Sequence, residues 1–95
     1  MSTVRLNEFQ AAPGKAAALR AFLQSIIGIV EAAPGCLGCE LLAGSEDDSR
    51  LVIIERWESA ADHQAAAKLI PREKVAEVQP LLADPPKGRY YAPVT

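Results

Sequence analysis

The chain has 95 residues, of which 49% are apolar and 23% charged, and a net charge of −2 at pH 7. This length fits one domain over residues 1–95, and the composition excludes a disordered chain. The small net charge, with acidic and basic residues interspersed, gives no electrostatic basis for binding nucleic acid or an anionic membrane. No basic segment leads into an apolar run at the N-terminus, and the apolar stretch over 16–33 is too short and polar to span a bilayer. We therefore expect a cytoplasmic location.

The first half of the chain predicts a strand, a helix and a hairpin. β-Branched and aromatic residues favour a strand over 4–10. A helix over about 15–32 follows, bounded by Pro-Gly dipeptides, because its apolar residues recur at the spacing of one helical face. Two further strands are predicted over 36–42 and 50–57. The polar turn over 44–49 that joins them indicates an antiparallel hairpin.

The second half predicts a broken helix and a short last strand. Ser59 and Asp62 have the spacing of a capping box, in which the hydroxyl and the carboxylate satisfy early helical N–H groups. Pro71 interrupts the helix that follows and begins another helical segment, which Pro80 kinks or ends. Residues 89–94 predict the last strand. Alternation sends one of its two adjacent tyrosines inward and the other outward, and the pattern does not say which.

This order of elements predicts an α+β fold of the ferredoxin-like type, β-α-β-β-α-β, with both helical regions on one face of an antiparallel sheet. The third strand is apolar on both sides. One side carries Leu51, Ile53, Glu55 and Trp57, and the other carries Val52, Ile54 and Arg56. Because an apolar sheet face is rarely left exposed to water, we expect a second subunit to cover the side without helices. The sequence therefore predicts a homodimer.

Two cysteines, Cys36 and Cys39, form a Cys-Leu-Gly-Cys pair. A four-ligand zinc site needs two more cysteines or histidines, and His63 is the only histidine, so no metal is expected. The pair enters a predicted strand, where positions three apart point to opposite faces. We interpret both as small buried hydrophobic residues.

Three stretches carry a family resemblance: Ala-Pro-Gly-Cys-Leu-Gly-Cys-Glu at 33–40, Ile-Ile-Glu-Arg-Trp-Glu-Ser at 53–59, and Asp-His at 62–63. They resemble the antibiotic biosynthesis monooxygenase family, whose members have a Pro-Gly-Cys-like turn, a Glu-x-Trp strand end and a histidine six residues after the tryptophan. The resemblance covers nearly the whole chain in order and spacing. It implies a dimeric α+β barrel, with a pocket in each subunit between the sheet and the helices.

The resemblance also implies chemistry. Some members of this family oxidise quinol-type or polycyclic aromatic substrates with molecular oxygen and need neither metal nor flavin, so no cofactor is expected. Close structural relatives degrade haem, and many members have no established activity. Fold alone does not fix function.

His63, Trp57 and Glu55 are the candidate catalytic residues. His63 can take a proton from a phenol or quinol hydroxyl because its unperturbed pKa lies near neutrality. The alternatives are a solvent-facing histidine, or a helix-start contact with Glu55 or Glu58. Glu55 lies within an otherwise apolar strand and needs a partner, either His63, which it would orient, or Arg5 across the sheet.

Trp57 and Asn7 are the candidate substrate-binding residues. Trp57 can stack on a flat aromatic ligand, or it can anchor the core or a dimer interface. Asn7 lies in mid-strand, a disfavoured place for asparagine, where it either orders substrate in a pocket or faces solvent. In the haem-degrading relatives an asparagine occupies a similar place. Their haem-ligating histidine lies in the later helix, whereas residues 65–79 of this chain contain no histidine.

Three functions follow as hypotheses. The first is a cofactor-independent monooxygenase that oxidises a small aromatic or quinol-like substrate with molecular oxygen. The second is a non-catalytic dimeric module that binds a hydrophobic metabolite, because the chain has no nucleophile–base pair and no metal cluster. The third is a haem-degrading enzyme.

Overall fold

Strands and helices follow one another in the order that the sequence predicts. The computed structural model describes residues 2–95, so Met1 lies outside the described residues. Its elements are β1 Thr3–Gln10, α1 Ala16–Glu31, β2 Cys36–Ala43, β3 Arg50–Trp57, α2 Ala60–Ala67, α3 Arg72–Val78, a 3₁₀ turn Gln79–Leu81 and β4 Lys87–Tyr91. As predicted, the second helical region is divided, and α3 ends just before Pro80. Within residues 2–95 no helix is long and apolar enough to cross a membrane.

The four strands form one antiparallel sheet in the order β2-β3-β1-β4. This arrangement confirms the predicted ferredoxin-like α+β fold. Helix α1 packs its buried face against the sheet; the buried apolar residues of helix and sheet are Leu19, Leu23, Ile26, Val30, Leu51, Ile53 and Trp57. Their recurrence every three or four residues along α1 places one helical stripe on the sheet. We call the helix-covered side of the sheet the inner face.

The opposite side, which we call the outer face, carries both apolar and charged residues. Register partners share a face, so the pairings of β3 with β1 and β2, and of β1 with β4, define its members. Its apolar residues, which we call the apolar patch, are Val4, Leu6, Leu42, Val52, Ile54 and Tyr91. Its charged residues are Glu8, Glu40, Arg50, Arg56, Lys87 and Arg89. Leu42 and Tyr91 are 41% and 48% exposed. No helix within residues 2–95 covers this face.

The start of α2 is held from two sides. The Ser59 hydroxyl accepts a hydrogen bond from the Asp62 backbone N–H at 3.2 Å and donates to the Asp62 carboxylate at 2.9 Å. The capping box is thus half as predicted, because the carboxylate binds the hydroxyl and not a backbone N–H. Gly35 has φ +85°, and a Cβ there would lie 2.5 Å from Asp62 Cγ. Only glycine allows this close approach, which holds the first turn of α2, with His63, against the segment that follows α1.

The last strand begins earlier than predicted. β4 spans Lys87–Tyr91, not residues 89–94, because its first residues pair with β1 opposite Glu8 and Asn7. Pro93 cannot donate a hydrogen bond to a ladder, which agrees with the early end of the strand. Tyr90 pairs with Arg5 on the inner face. Its neighbour Tyr91 therefore points to the outer face.

The prediction that the two cysteines face opposite ways is wrong. The pairing of β2 with β3 skips one position between Cys36 and Gly38, so Cys36 lies opposite Trp57 and Cys39 opposite Glu55. This β-bulge turns both thiols to the inner face, where they pack against the Trp57 cluster. Burial raises the pKa of the Cys39 thiol to about 12. That thiol is uncharged at neutral pH, as suits a small packing residue.

Candidate active site

A pocket of about 230 Å³ lies between the inner face and the helices. Its walls are mostly apolar. The lining residues are Asn7, Phe9, Phe22, Leu23, Ile26, Val30, Ile53, Glu55, Trp57, His63, Ala66, Ala67, Ile70, Val75, Val78 and Pro86. This pocket is therefore lined by all four residues that the sequence nominates for the site, Asn7, Glu55, Trp57 and His63. Pockets with apolar walls and a few convergent polar groups are the usual form of small-molecule sites.

Glu55 lies at the centre of a hydrogen-bond network. It is 5% exposed. Trp57 Nε1 donates to Glu55 Oε1 at 2.9 Å, and Asn7 Nδ2 donates to Glu55 Oε2 at 3.0 Å. Arg5 Nε in turn donates to Asn7 Oδ1 at 3.1 Å. Because arginine is only a donor, Asn7 must turn its oxygen to Arg5 and its amide N–H groups to Glu55.

These contacts answer the question of how a carboxylate is tolerated inside the third strand. The predicted partners of Glu55 were His63 and Arg5, but its hydrogen bonds come from Trp57 and Asn7. Asn7 faces the pocket and not solvent. Trp57 is fully buried, so the tryptophan serves the core and the pocket wall at once. A neutral donor on each carboxylate oxygen satisfies the charge without an ion pair.

His63 stands between the carboxylate and the last strand. Its Nε2 lies 3.9 Å from Glu55 Oε1, which is close but beyond hydrogen-bond distance. Its Nδ1 lies 2.6 Å from the Tyr90 hydroxyl. The imidazole meets the rings of Trp57 and Tyr90 edge to face, at centroid distances of 5.7 and 5.3 Å. The side chain is 15% exposed, so it faces the pocket and not open solvent.

Burial shifts the titration of both groups at this end of the pocket toward their neutral forms. Burial raises the pKa of Glu55, and the hydrogen bonds from Trp57 and Asn7 and the charge of Arg5 offset part of that shift. Burial lowers the pKa of His63, and the Arg5 charge lowers it further. The imidazole is therefore neutral at neutral pH. It can donate a hydrogen bond from one nitrogen and accept one at the other.

Two residues of this network, Gly88 and Tyr90, have no role predicted from the sequence, and Arg5 was expected only as a possible direct partner of Glu55. The Arg5 guanidinium lies 4.7 Å from the centre of the Tyr90 ring, a cation–π contact. Gly88 leaves room for this contact, because a Cβ there would overlap Arg5 Nη2 and lie 2.7 Å from Asn7 Oδ1. These contacts depend on the pairing register of β1 with β4, which no local pattern reveals.

The geometry suits proton chemistry on a ligand hydroxyl. One oxygen atom can lie about 2.8 Å from both Glu55 Oε1 and His63 Nε2, since those atoms are 3.9 Å apart. Such a hydroxyl would donate to the carboxylate and accept from the imidazole. Within residues 2–95, no group of three or more His, Cys, Asp or Glu side chains could hold a metal ion.

Comparison with known proteins places the chain in a family. Residues 2–69 match the family model described as antibiotic biosynthesis monooxygenase. No curated protein sequence matches the chain. The solved structure of Rv0793 from Mycobacterium tuberculosis is 26% identical with a TM-score of 0.86, covering 100% of this chain and 97% of the other.

Two further solved structures share the fold. PA3566 from Pseudomonas aeruginosa is 22% identical with a TM-score of 0.86, covering 99% of this chain and 95% of the other. SnoaB from Streptomyces nogalater, a cofactor-independent oxygenase, is 16% identical with a TM-score of 0.83, covering 99% and 94%. The family match spans more than half of the chain, in agreement with the resemblance of the three sequence stretches. The chain belongs to the antibiotic biosynthesis monooxygenase family.

Proposed function

We propose that the chain is a cofactor-independent monooxygenase that oxidises a small aromatic or quinol-like substrate with molecular oxygen. One observation carries the proposal: an apolar pocket whose polar groups, Asn7, Glu55 and His63, gather at one end. A flat aromatic body fits the apolar walls, and a hydroxyl group fits the polar end. The description of SnoaB as a cofactor-independent oxygenase supports the same reaction class.

The reaction begins with removal of a proton from the substrate hydroxyl. The sequence hypothesis gave this proton to His63, with Glu55 as the orienting group. The contacts favour a division of labour, in which Glu55 accepts the proton and neutral His63 donates a hydrogen bond to the oxygen that becomes negative, because Nδ1 is engaged by the Tyr90 hydroxyl and Nε2 lies beside Glu55 Oε1. Burial raises the pKa of Glu55, which makes it a stronger base than an ordinary carboxylate, and a neutral imidazole is a good donor to an oxyanion.

The anion then reacts with oxygen. For a phenol with hydrogen at the ring position opposite the hydroxyl, the overall change is phenol plus O₂ to quinone plus water. The electron-rich anion gives an electron to O₂, the two radicals join as a ring peroxide, and the O–O bond breaks with loss of that ring hydrogen. The departing oxygen takes up both the ring hydrogen, as a proton, and the proton held by Glu55, and it leaves as water. One atom of O₂ stays as the second quinone oxygen.

The proposal includes a homodimer. The outer face presents the apolar patch, in which Leu42 and Tyr91 are 41% and 48% exposed. The charged residues of the same face carry both signs, Glu8 and Glu40 against Arg50, Arg56, Lys87 and Arg89. A second copy placed sheet against sheet would cover the patch and bring opposite charges of the two copies together. Each subunit keeps its own pocket, because the pocket opens on the inner face.

Oxygen uptake with a panel of anthrones and of phenols that carry hydrogen opposite the hydroxyl tests the proposal. We expect Glu55→Gln and His63→Ala each to lower the rate by about 10²-fold or more, the usual size of a general acid–base contribution. Glu58→Gln is the matched control, since Glu58 is an exposed carboxylate three residues after Glu55. Full activity in Glu55→Gln and in His63→Ala would contradict the proposed chemistry.

The same preparation separates the other two hypotheses. Saturable binding of an aromatic compound without oxygen uptake would favour a non-catalytic binding module. A haem macrocycle is larger than a pocket of about 230 Å³, and α3 carries no histidine to ligate its iron. We therefore expect no shift of the haem absorption band when haem is titrated into the protein.

A further inference from the structure

We propose that Tyr90 is a positioning residue for His63: its hydroxyl donates a hydrogen bond to Nδ1 and so holds the imidazole as the tautomer protonated on Nε2. The tautomer rests on the contacts around the ring and not on any reaction. Its catalytic consequence rests on the proposed function. Sequence reasoning assigned no role to Tyr90.

The contact between the two side chains is short and well oriented. The Tyr90 oxygen lies 2.6 Å from His63 Nδ1, and the two rings stand at 82° to each other. A phenol is a stronger donor to an imidazole nitrogen than an imidazole N–H is to a phenol oxygen, because the phenolic proton is far more acidic. The short distance therefore favours O–H···N over N–H···O.

Arg5 strengthens the phenol as a donor. Its guanidinium lies 4.7 Å from the centre of the Tyr90 ring, and a cation there favours electron density moving from the hydroxyl into the ring. The guanidinium is kept in this place by the hydrogen bond to Asn7 and by the missing side chain of Gly88. Gly88 of β4 and Asn7 of β1 thus both hold the guanidinium beside the ring whose hydroxyl contacts His63.

The other nitrogen faces a carboxylate. Nε2 lies 3.9 Å from Glu55 Oε1, and both carboxylate oxygens accept hydrogen bonds from neutral donors, as the ionised form does. A negative oxygen beside Nε2 favours a proton on that nitrogen. The charged or titratable groups that face the imidazole are Arg5 from β1, Glu55 from β3 and Tyr90 from β4. On its own helix, the Asp62 carboxylate is engaged by the Ser59 hydroxyl.

The tautomer decides what His63 offers a ligand. With Nδ1 occupied by Tyr90, the imidazole presents an N–H at the polar end of the pocket, beside Glu55. It can then stabilise a substrate oxyanion while Glu55 takes the proton. The opposite tautomer would present a lone pair to the pocket and would make His63 itself the base. Tyr90 therefore decides whether Glu55 or His63 is the group that takes the substrate proton.

Nitrogen-15 NMR of the imidazole tests the proposal directly. His63 is the only histidine, so its two ring nitrogens give one set of signals in a long-range proton–nitrogen spectrum. At about pH 8, where the ring is neutral, we expect the shift of an unprotonated nitrogen at Nδ1 and of a protonated nitrogen at Nε2. In Tyr90→Phe we expect the two shifts to move toward each other as the second tautomer becomes populated. Tyr91→Phe, on the outer face, should leave both shifts unchanged.

Two results would overturn the proposal: a proton on Nδ1 in the unmodified protein, or unchanged nitrogen shifts in Tyr90→Phe. The first can be read without any variant, so a failure of Tyr90→Phe to fold does not protect the idea. Arg5→Met provides a second probe. Removing the cation should raise the pKa of His63, because Arg5 lowers it.

Oxygen uptake separates this proposal from the proposed function. We expect Tyr90→Phe to lower kcat about 10-fold with little change in KM. The pocket keeps its shape, but in a fraction of the molecules His63 has no proton on Nε2 to donate to the substrate oxygen. If the unmodified protein consumes no oxygen but its nitrogen shifts are as expected, the tautomer assignment stands and the proposed function fails. If Tyr90→Phe alters the nitrogen shifts of His63 but leaves kcat unchanged, Tyr90 sets the tautomer without contributing to turnover.

Discussion

The two faces of the sheet use the same strands for different purposes. On the inner face, alternate residues of β3 pack against α1, and at the strand end they carry the network of Glu55 and Trp57. On the outer face, the residues between them, Val52 and Ile54, form part of the apolar patch, over which no helix of the described residues lies. The period of two along a strand keeps these demands apart. A change at one position can therefore break one function and spare the other.

Trp57→Ala should have the largest effect, because Trp57 is fully buried and is both core and pocket wall. We expect a loss of about 3–5 kcal/mol in the free energy of unfolding, the usual cost of removing a large aromatic side chain from a core. Chemical denaturation followed by circular dichroism measures it. Trp57→Phe should recover much of the stability but not the hydrogen bond to Glu55. A loss below about 1 kcal/mol in Trp57→Ala would contradict the described packing.

Ile54→Asp tests the outer face. Ile54 lies at the centre of the patch, paired with Leu6 on one side and Glu40 on the other. We expect the unmodified protein to sediment as a dimer at micromolar concentration and Ile54→Asp to sediment as a folded monomer, since a buried unpaired charge is costly. Ile54→Val is the matched control and should remain a dimer. A monomeric unmodified protein would remove the proposed partner of this face.

Gly88→Ala tests the inner face more gently. The added methyl group would push the flexible end of Arg5 away from Tyr90 and crowd Asn7 Oδ1. We expect a stability loss of about 1 kcal/mol and a rise in the pKa of His63, measured by proton NMR. The control is Gly38→Ala, because a Cβ at Gly38 would meet no atom within 4 Å. An unchanged His63 pKa in Gly88→Ala would show that Arg5 does not act through this contact.

The pH dependence of kcat/KM should give the smallest signal. The proposed reaction needs Glu55 ionised and His63 neutral. Protonation of either group therefore lowers activity, and both protonations occur as the pH falls. Because burial raises the pKa of Glu55, activity should begin to fall on acidification at a higher pH than an ordinary carboxyl group would set. Arg5→Met should move this acid limb to still higher pH, since the Arg5 charge lowers the pKa of both groups. A fall in activity beginning well above neutrality in the unmodified protein would contradict these assignments.

Local patterns predict much of this molecule. The bounds of β3 and the two-sided character of that strand follow from its alternation, and Pro71 and Pro80 mark the breaks in the second helical region. Even the bond from Trp57 to Glu55 has a local signal, because residues two apart in a strand share a face and one is a donor and the other an acceptor.

The parts that depend on register could not be predicted in this way. The bulge before Gly38 reverses the expected direction of Cys36 relative to Cys39, and its only local sign is a glycine inside the predicted strand, which does not say which position is skipped. Likewise, the choice of Tyr90 over Tyr91 as the inner residue depends on how β4 aligns with β1. Side chains brought together from three strands and a helix form a site only after that alignment is known.

Turnover of an anthrone in ¹⁸O₂, followed by mass spectrometry of the quinone product, tests the proposed reaction most directly. In that reaction the Glu55–His63 end of the pocket removes a proton so that the substrate anion can react with oxygen. We predict one ¹⁸O atom in each quinone formed, and loss of labelled product in Glu55→Gln but not in Glu58→Gln. A product oxygen derived from water, or equal labelled product in all three proteins, would contradict the account.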